Sequence, residues 1–194
     1  NAAERQQPAS SGPNGEIRST SNNKVTITIG NSEMGQGVLT AQSMIIADEL
    51  EADWKQIQIK QGEARDGFKS PILGGQITVG SGSLRGFYEP LRKAGAATRA
   101  MLIQAAAETW DEPENECKAQ LGYVVHEHSK RRLSYGQLCE RAAKLPVPQN
   151  PPLKSESEFR YIGKVMPRVD VPQKVAGKAV YGIDVSVEGM HYSV

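Results

Sequence analysis

The sequence is poor in several things at once, and each shortage removes a class of function. Aromatic residues make up 6% of the 194 residues, and the net charge is +1. A nucleic-acid binder needs a basic surface and rings on which bases stack, so no nucleic-acid partner is expected. No apolar run reaches the length that spans a membrane. Cysteine occurs twice, as Cys117 and Cys139, with no CxxC pair. That argues against a zinc or iron–sulfur site built by this chain alone and for two buried free thiols. What remains is ordinary, with 38% hydrophobic and 23% charged residues. There is enough material for one core, or for one core and a piece of another.

Residues 1–23 are polar, with prolines and glycines, and read as a flexible lead-in. "KVTITIG" alternates Val25, Ile27 and Ile29 against threonines and predicts a half-buried strand. A helix follows from about Gly37 to Ala52, its apolar residues spread around most of the cylinder, so it should pack on two sides. "KQIQIKQGE" predicts a second strand. A helix from about Glu89 to Trp110 carries Pro90 in its first turn, where a missing N–H is no loss; begun at Ser83 instead, it would kink near Gly86. Ala94, Gly95, Ala96 and Ala97 suit close approach to a neighbour. "AQLGYVVHEHS" reads as a strand or hairpin. Ser134 and Gln137 are spaced as a capping box for a third helix, which Tyr135 should help to pack. The fold class is α/β (α+β), with strands interleaved with helices over 24–145. Residues 146–170 read as a Pro-rich linker, and 171–194 as the start of a further domain with a strand over "KAVYGIDVSV". The chain lacks an initial Met and stops in apolar, strand-like sequence, which predicts that something upstream was removed, by processing or by design, and that the chain is cut just inside that further domain.

Two glycine-rich turns carry the chemistry. "EMGQGV" places Gly35, Gln36 and Gly37 where a strand hands over to a helix. Glycine permits positive φ and close approach of a ligand, and a helix N-terminus offers unpaired N–H groups to an anion. "GGQITVGSGSLRG" repeats the device and adds the hydroxyls of Ser81 and Ser83. Two such turns point to a ligand with a phosphate and polar ring edges, although glycines at turns are often only turns. A dinucleotide fold is the rival. Thr40 stands where the third glycine of GxGxxG belongs, and only Glu63 lies near the expected acidic position. His126 and His128 share a strand face and could ligate a metal, but no third ligand is apparent, so an exposed strand face is favoured; His191 stands alone. "KRR" at 130–132 reads as a solvated turn, and Glu33 as a carboxylate held by its own hydrogen bonds rather than as a base.

"SEMGQGVLTAQSMIIADELEADWKQIQI", "GGQITVGSGSLRGFYEPLRKAGAATRAMLIQAAA" and "FRYIGKVMPRVDVPQKVAGKAVYGIDV" together resemble the molybdenum-binding large subunit of the xanthine oxidase family. The likeness is strongest to the branch of isoquinoline 1-oxidoreductase beta subunits and membrane-bound aldehyde dehydrogenases. It runs in order from about residue 24 to the C-terminus. The resemblance implies a molybdopterin cofactor, often as the cytosine dinucleotide, and hydroxylation of an aldehyde or N-heterocycle with oxygen from water. It implies a small partner subunit with [2Fe–2S] clusters and the rest of the chain's own large subunit as partners, a cytochrome c as candidate electron acceptor, and a small-molecule substrate. On that basis Gly35, Gln36 and Gly37 would cradle the cofactor, and Gln76, Thr78, Gly80, Ser81, Gly82 and Ser83 would contact its phosphate or pterin side. The metal is held by the pterin's dithiolene, so no metal ligand is expected here. The family's catalytic glutamate lies in a Gly-Glu motif absent from this sequence, so no catalytic residue is assigned and the chain alone should be inactive. The final residues resemble the opening strands of the family's α/β hammerhead domain. The branch's export signals imply a periplasmic location, with the cytoplasm as the alternative. A non-catalytic binding or assembly domain of the same fold and a nucleotide-binding α/β domain are the competing functions.

Overall fold

The structure is a computed structural model that describes residues 10–12, 15–20 and 22–192. The alternating run forms β3 (Val25–Ile29), with Val25, Ile27 and Ile29 buried. β3 pairs in parallel with β4 (Ile57–Gln61), Ile27 opposite Ile59. A parallel pair needs a crossover, and α1 (Val38–Leu50) lies within it. On the other edge of β3, β2 (Gly15–Ser19) and β1 (Ser10–Gly12) add antiparallel strands, so the sheet order is β1-β2-β3-β4. The lead-in reading of 1–23 is therefore corrected where the chain is described. The open edge of β3 offers backbone partners, and Ile17 closes onto the core. Residues 1–9 lie outside the described residues.

The chain then makes a single turn, α2 (Gly82–Arg85), breaks at Gly86 and Phe87, and enters α3 (Tyr88–Trp110). Pro90 sits in the first turn of α3, so no kink is needed. α1 and α3 cross closely at Gly95. A Cβ added there would lie 2.7 Å from the Ile46 carbonyl oxygen and 2.9 Å from the Glu49 Cβ. A second, antiparallel sheet, β5-β6-β7, follows: β5 (Cys117–Gln120), β6 (Tyr123–His126) and β7 (Arg132–Ser134). The Ser134–Gln137 capping box starts α4 (Tyr135–Ala142). The Tyr135 hydroxyl, fully buried, donates to the Leu50 carbonyl at 2.6 Å and ties this second unit to α1.

Because α1 packs on two sides, its polar residues are buried with the rest, including Asp48 and Glu49 at 0% exposure. Glu49 accepts from Arg92 and Arg99 of α3. Asp48 takes the Lys154 ammonium at 2.8 Å and the backbone N–H groups of Arg160, Tyr161 and Ile162 at 3.1, 2.9 and 2.8 Å. Residues 146–170 thus hold no helix or strand beyond the short 3-10 turn Glu156–Glu158, yet their middle is fastened onto α1. After α5 (Val171–Val175), the strand read over 178–187 does not form. The stretch makes the 3-10 turn Gly182–Asp184, and Ile183 is 91% exposed. A strand requires a partner, and none lies beside this segment among the described residues.

Two outcomes follow from this packing. Gly95→Ala gains roughly 1 kcal/mol of helix propensity but overpacks a backbone carbonyl, which costs about 1–3 kcal/mol. A net loss of stability is expected in urea unfolding, larger for Gly95→Val. Burial pushes the Asp48 carboxyl up, but the Ile162 N–H, the Lys154 ammonium and the Tyr161 and Arg160 N–H groups outweigh it and hold it below the ordinary 3.8. A depressed folded value means that this contribution is full above pH 3.8 and is lost as pH falls through the folded value. Asp48→Asn should flatten that acid limb while costing about 1–3 kcal/mol near neutrality, since the N–H groups of residues 160–162 lose a charged acceptor while Lys154 keeps Glu51 at 2.6 Å.

Candidate functional site

The two glycine-rich turns differ in how their polar groups are used. In the first, Gly35 and Gly37 have φ of +100° and +86°, and Gly37 is the N-cap of α1. This backbone wraps around the Glu33 carboxylate, which accepts from the N–H groups of Gly35 and Gly37 at 2.8 Å each and of Leu39 at 3.2 Å. The chain thus supplies its own anion to the helix N-terminus. Gln36 is also engaged, accepting from the Met34 N–H at 2.6 Å and donating to the Ser32 carbonyl at 2.9 Å. Arg168 closes the turn from outside, donating to the Gly35 carbonyl at 2.7 Å with its guanidinium 3.6 Å from Glu33. A Cβ on Gly37 would face Arg168 at 3.9 Å, so glycine is required there by φ rather than by space.

In the second turn Gly80 and Ser81 both have φ of +56°, and Ser81 is the N-cap of α2. A serine in the left-handed region is unusual and marks a backbone held by its surroundings. The Gly82 N–H goes to the Val79 carbonyl. Among the described residues, the hydroxyls of Ser81 and Ser83 have no hydrogen-bond partner.

A buried amide pair holds the turns side by side. Gln42, on the face of α1 below the first turn, donates to Asn31 Oδ1 at 2.8 Å and to the Ser83 carbonyl at 2.7 Å. Asn31 in turn donates to the Ile77 carbonyl at 3.2 Å. Thr78 accepts from the Ser32 N–H at 2.9 Å, and Gln76 spans the Gly30 carbonyl and the Arg65 N–H at 2.7 and 2.9 Å. Between the turns lies an open cleft of about 350 Å³, with Gln36 and Val38 on one wall and Thr78, Gly80, Ser81 and Ser83 on the other. Of the residues singled out in the sequence, Gln36, Thr78, Gly80, Ser81 and Ser83 come together at this cleft. Gly35, Gly37, Gln76 and Gly82 lie outside its lining.

Asn31, Gln42 and Arg168 escaped the sequence reading. A signal existed for Gln42. A helix with no narrow apolar stripe must bury polar residues too, and Gln42 is 1% exposed. Arg168 had none, since its partner lies 133 residues away. The histidine reading is corrected. β6 ends at His126, which is buried at 3% exposure with its ring between Ser129 and Glu116, while His128 lies beyond the strand and is exposed. Neither cysteine forms a disulfide, Cys117 is buried and Cys139 half-buried, and burial pushes both thiols up, so neither is a poised nucleophile.

Comparison with known proteins gives this geometry a context. The profile of the molybdopterin cofactor-binding domain matches residues 2–191. The chain is 34% identical over 220 residues to the beta subunit of isoquinoline 1-oxidoreductase from Brevundimonas diminuta, covering 94% of this chain and 28% of that one. It is 34% identical to the membrane-bound aldehyde dehydrogenase (pyrroloquinoline-quinone) of Gluconacetobacter polyoxogenes, covering 87% and 22%. It is 30% identical to one of the subunits of nicotinate dehydrogenase from Pseudomonas putida, covering 83% and 13%. The chain therefore spans about a quarter or less of the length of these relatives. Among solved structures, the Cu,Mo-CO dehydrogenase matches with a TM-score of 0.50 and 23% identity over 64% of this chain and 15% of that one, a likeness of fold.

The amide pair sets the third expectation. Gln42→Ala leaves Asn31 Oδ1 and the Ser83 carbonyl buried without a donor, at a cost of about 1–3 kcal/mol per group. Gln36→Ala, whose bonds are exposed, should change stability by under about 0.5 kcal/mol. Urea midpoints of the two variants give the comparison, and equal midpoints would show that the pair does not hold the turns.

Proposed function

The chain belongs to the molybdopterin cofactor-binding domain family, and from that premise we propose that it forms one part of the cofactor cradle in the large subunit of a molybdenum hydroxylase. The observation that carries the reading is the pair of unpartnered hydroxyls, Ser81 and Ser83, on a cleft shared with Gln36. Such donors fit the anionic and polar-ring edges of a pterin phosphate. Ser81, Ser83 and the backbone at Gly80, with Thr78 on the same wall, would hold the phosphate side; Gln36 would face it across the cleft. Gly35, Gly37, Gln76 and Gly82 act one layer back, by shaping and pinning the turns. When bound, the molybdopterin centre would supply two-electron oxidation of an aldehyde or N-heterocycle with oxygen drawn from water.

No catalytic residue is assigned to this chain. Glu33, whose turn builds one wall of the cleft, accepts from three N–H groups and is engaged in closing that turn. The same three bonds weigh against the dinucleotide alternative, because a pyrophosphate at the start of α1 would have to displace Glu33. Partners follow from the premise: the rest of the large subunit, a small [2Fe–2S] subunit, a cytochrome c as electron acceptor and a small-molecule substrate. Two of the relatives, those of isoquinoline 1-oxidoreductase and nicotinate dehydrogenase, are themselves named as single subunits, which supports a multi-subunit assembly. Exposed Met34, Val79 and Leu84 at the cleft rim support a protein surface that meets another. The cytosine dinucleotide form of the cofactor, a hammerhead-like domain beginning near residue 171 and a periplasmic location complete the proposal.

The test uses the full-length subunit with its partner. Near-stoichiometric molybdenum and pterin fluorescence are expected for the wild type, and their complete absence would favour a non-catalytic assembly domain. The Ser81→Ala/Ser83→Ala protein should retain the cofactor more weakly, by about 1 kcal/mol per lost hydrogen bond. Retention equal to wild type under a chelator challenge would move the cradle elsewhere.

A further inference from the structure

A second set of chemically able side chains lies far from the cleft, where α3 hands over to the second sheet. The left-handed C-cap Asp111 turns the chain, and the Glu112 N–H returns to the Ala107 carbonyl at 3.0 Å. Residues Glu114–Glu116 form a 3-10 turn leading into β5, and the β5–β6 register places Cys117 opposite His126. This geometry brings Glu112, Glu116 and His126 to one point, with one ligand atom from each within 4.8 Å of the others. His126 Nε2 is 3.1 Å from Glu116 Oε2 and 3.9 Å from Glu112 Oε2. The exposed His128 holds its Nε2 3.8 Å from the same Glu116 oxygen.

We propose that Glu112, Glu116 and His126 form a binding site for a divalent transition-metal cation of the zinc class. An ordinary imidazole–carboxylate pair accounts for Glu116. Arg131 holds Glu112 by its other oxygen, and Glu112 Oε2 still lies 3.9 Å from the same ring nitrogen, so three ligand atoms surround one point that a shared cation would fill. The surroundings also match what a ligating histidine requires. The His126 ring is buried, and its Nδ1 lies 2.7 Å from Ser129 Oγ, which can accept from Nδ1–H and leave Nε2 for an ion; the longer contact, in which the Ser129 N–H donates to Nδ1 at 3.3 Å, would be given up on binding. Arg131 donates to Ser129 Oγ at 2.7 Å and pairs with Glu112 Oε1, leaving Glu112 Oε2 for the site. One imidazole with two carboxylates favours zinc over magnesium or calcium, which take oxygen alone. Tetrahedral bonds of about 2.1 Å need ligand atoms about 3.4 Å apart. The half-exposed glutamates can make that contraction, and a water or His128 would fill the fourth position. A bound ion would staple the end of α3 to the β5–β6 hairpin.

The experiment titrates untagged, chelator-treated full chain with Zn²⁺ by calorimetry and follows its thermal midpoint. One saturable equivalent and a raised midpoint are expected, with no response to Mg²⁺ at the same concentration. Glu112→Gln and Glu116→Gln should each weaken binding about tenfold or more, and Ser129→Ala about tenfold. Both glutamates are half-exposed, so at least Glu112→Gln is expected to fold as wild type, with circular dichroism as the check. Absence of a saturable site, or a site whose affinity both glutamine variants leave unchanged, would overturn the assignment. Molybdenum content plays no part in this readout, so its outcome is independent of the cofactor-cradle test.

Discussion

Helix α1 lies between the first sheet and α3, and none of its residues is fully exposed. Every polar side chain it carries must therefore find a partner inside the protein or cost its full desolvation. The three bulkiest such groups reach in different directions. Glu49 binds two arginines of α3, Asp48 binds the returning chain at 154–162, and Gln42 binds the two glycine turns. Replacing such buried pairs with well-fitted hydrophobic residues often raises stability, so their worth lies more in specifying arrangement than in net energy. Here the arrangement is the useful product. Without Gln42, the Ser83 carbonyl and Asn31 Oδ1 would lose the donor they share, and the turns would be joined only by the bonds at Ile77, Thr78 and Gln76.

That constraint also explains the form of the first turn. A helix N-terminus with exposed amides would attract any passing anion. Glu33 fills the position intramolecularly, and Arg168 balances its charge from the far side of the chain. Gly35 and Gly37 stand at φ of +100° and +86°, where glycine is favoured, and in that conformation both N–H groups reach the Glu33 carboxylate. The motif that looks like a phosphate grip in sequence is, in space, a closed and self-satisfied loop that builds one wall of the cleft.

What could be read from the sequence was what local periodicity encodes. The alternation of Val25, Ile27 and Ile29, the helical spacing through α3, the Ser134–Gln137 box and the close approach at Gly95 are all short-range patterns, and each appears in the structure. Misreadings arose where a partner distant in sequence decides. β1 and β2 form because β3 has a free edge, not because "SSG" or "GEIRS" favours strand. "KAVYGIDVSV" has strand character but no neighbour to pair with. His126 looked like one of two histidines on an open face. Its carboxylate neighbours sit 10 and 14 residues upstream, across a helix end that no pattern in the sequence positions. Within the candidate site, the residue types at the turns were legible, but their division into lining and supporting roles was not.

That division follows from counting donors. The first turn has spent the amides of Gly35, Gly37 and Leu39 on Glu33, and both ends of Gln36 on its own backbone. The second has spent the Gly82 amide, but not its serine hydroxyls. A ligand entering the cleft therefore meets a finished surface on one side and available donors on the other. Binding to the second wall disturbs nothing already made, whereas binding to the amides of the first would have to displace a carboxylate held by three hydrogen bonds. The free-energy difference between these two routes, rather than the number of glycines in either turn, would decide where an anion settles.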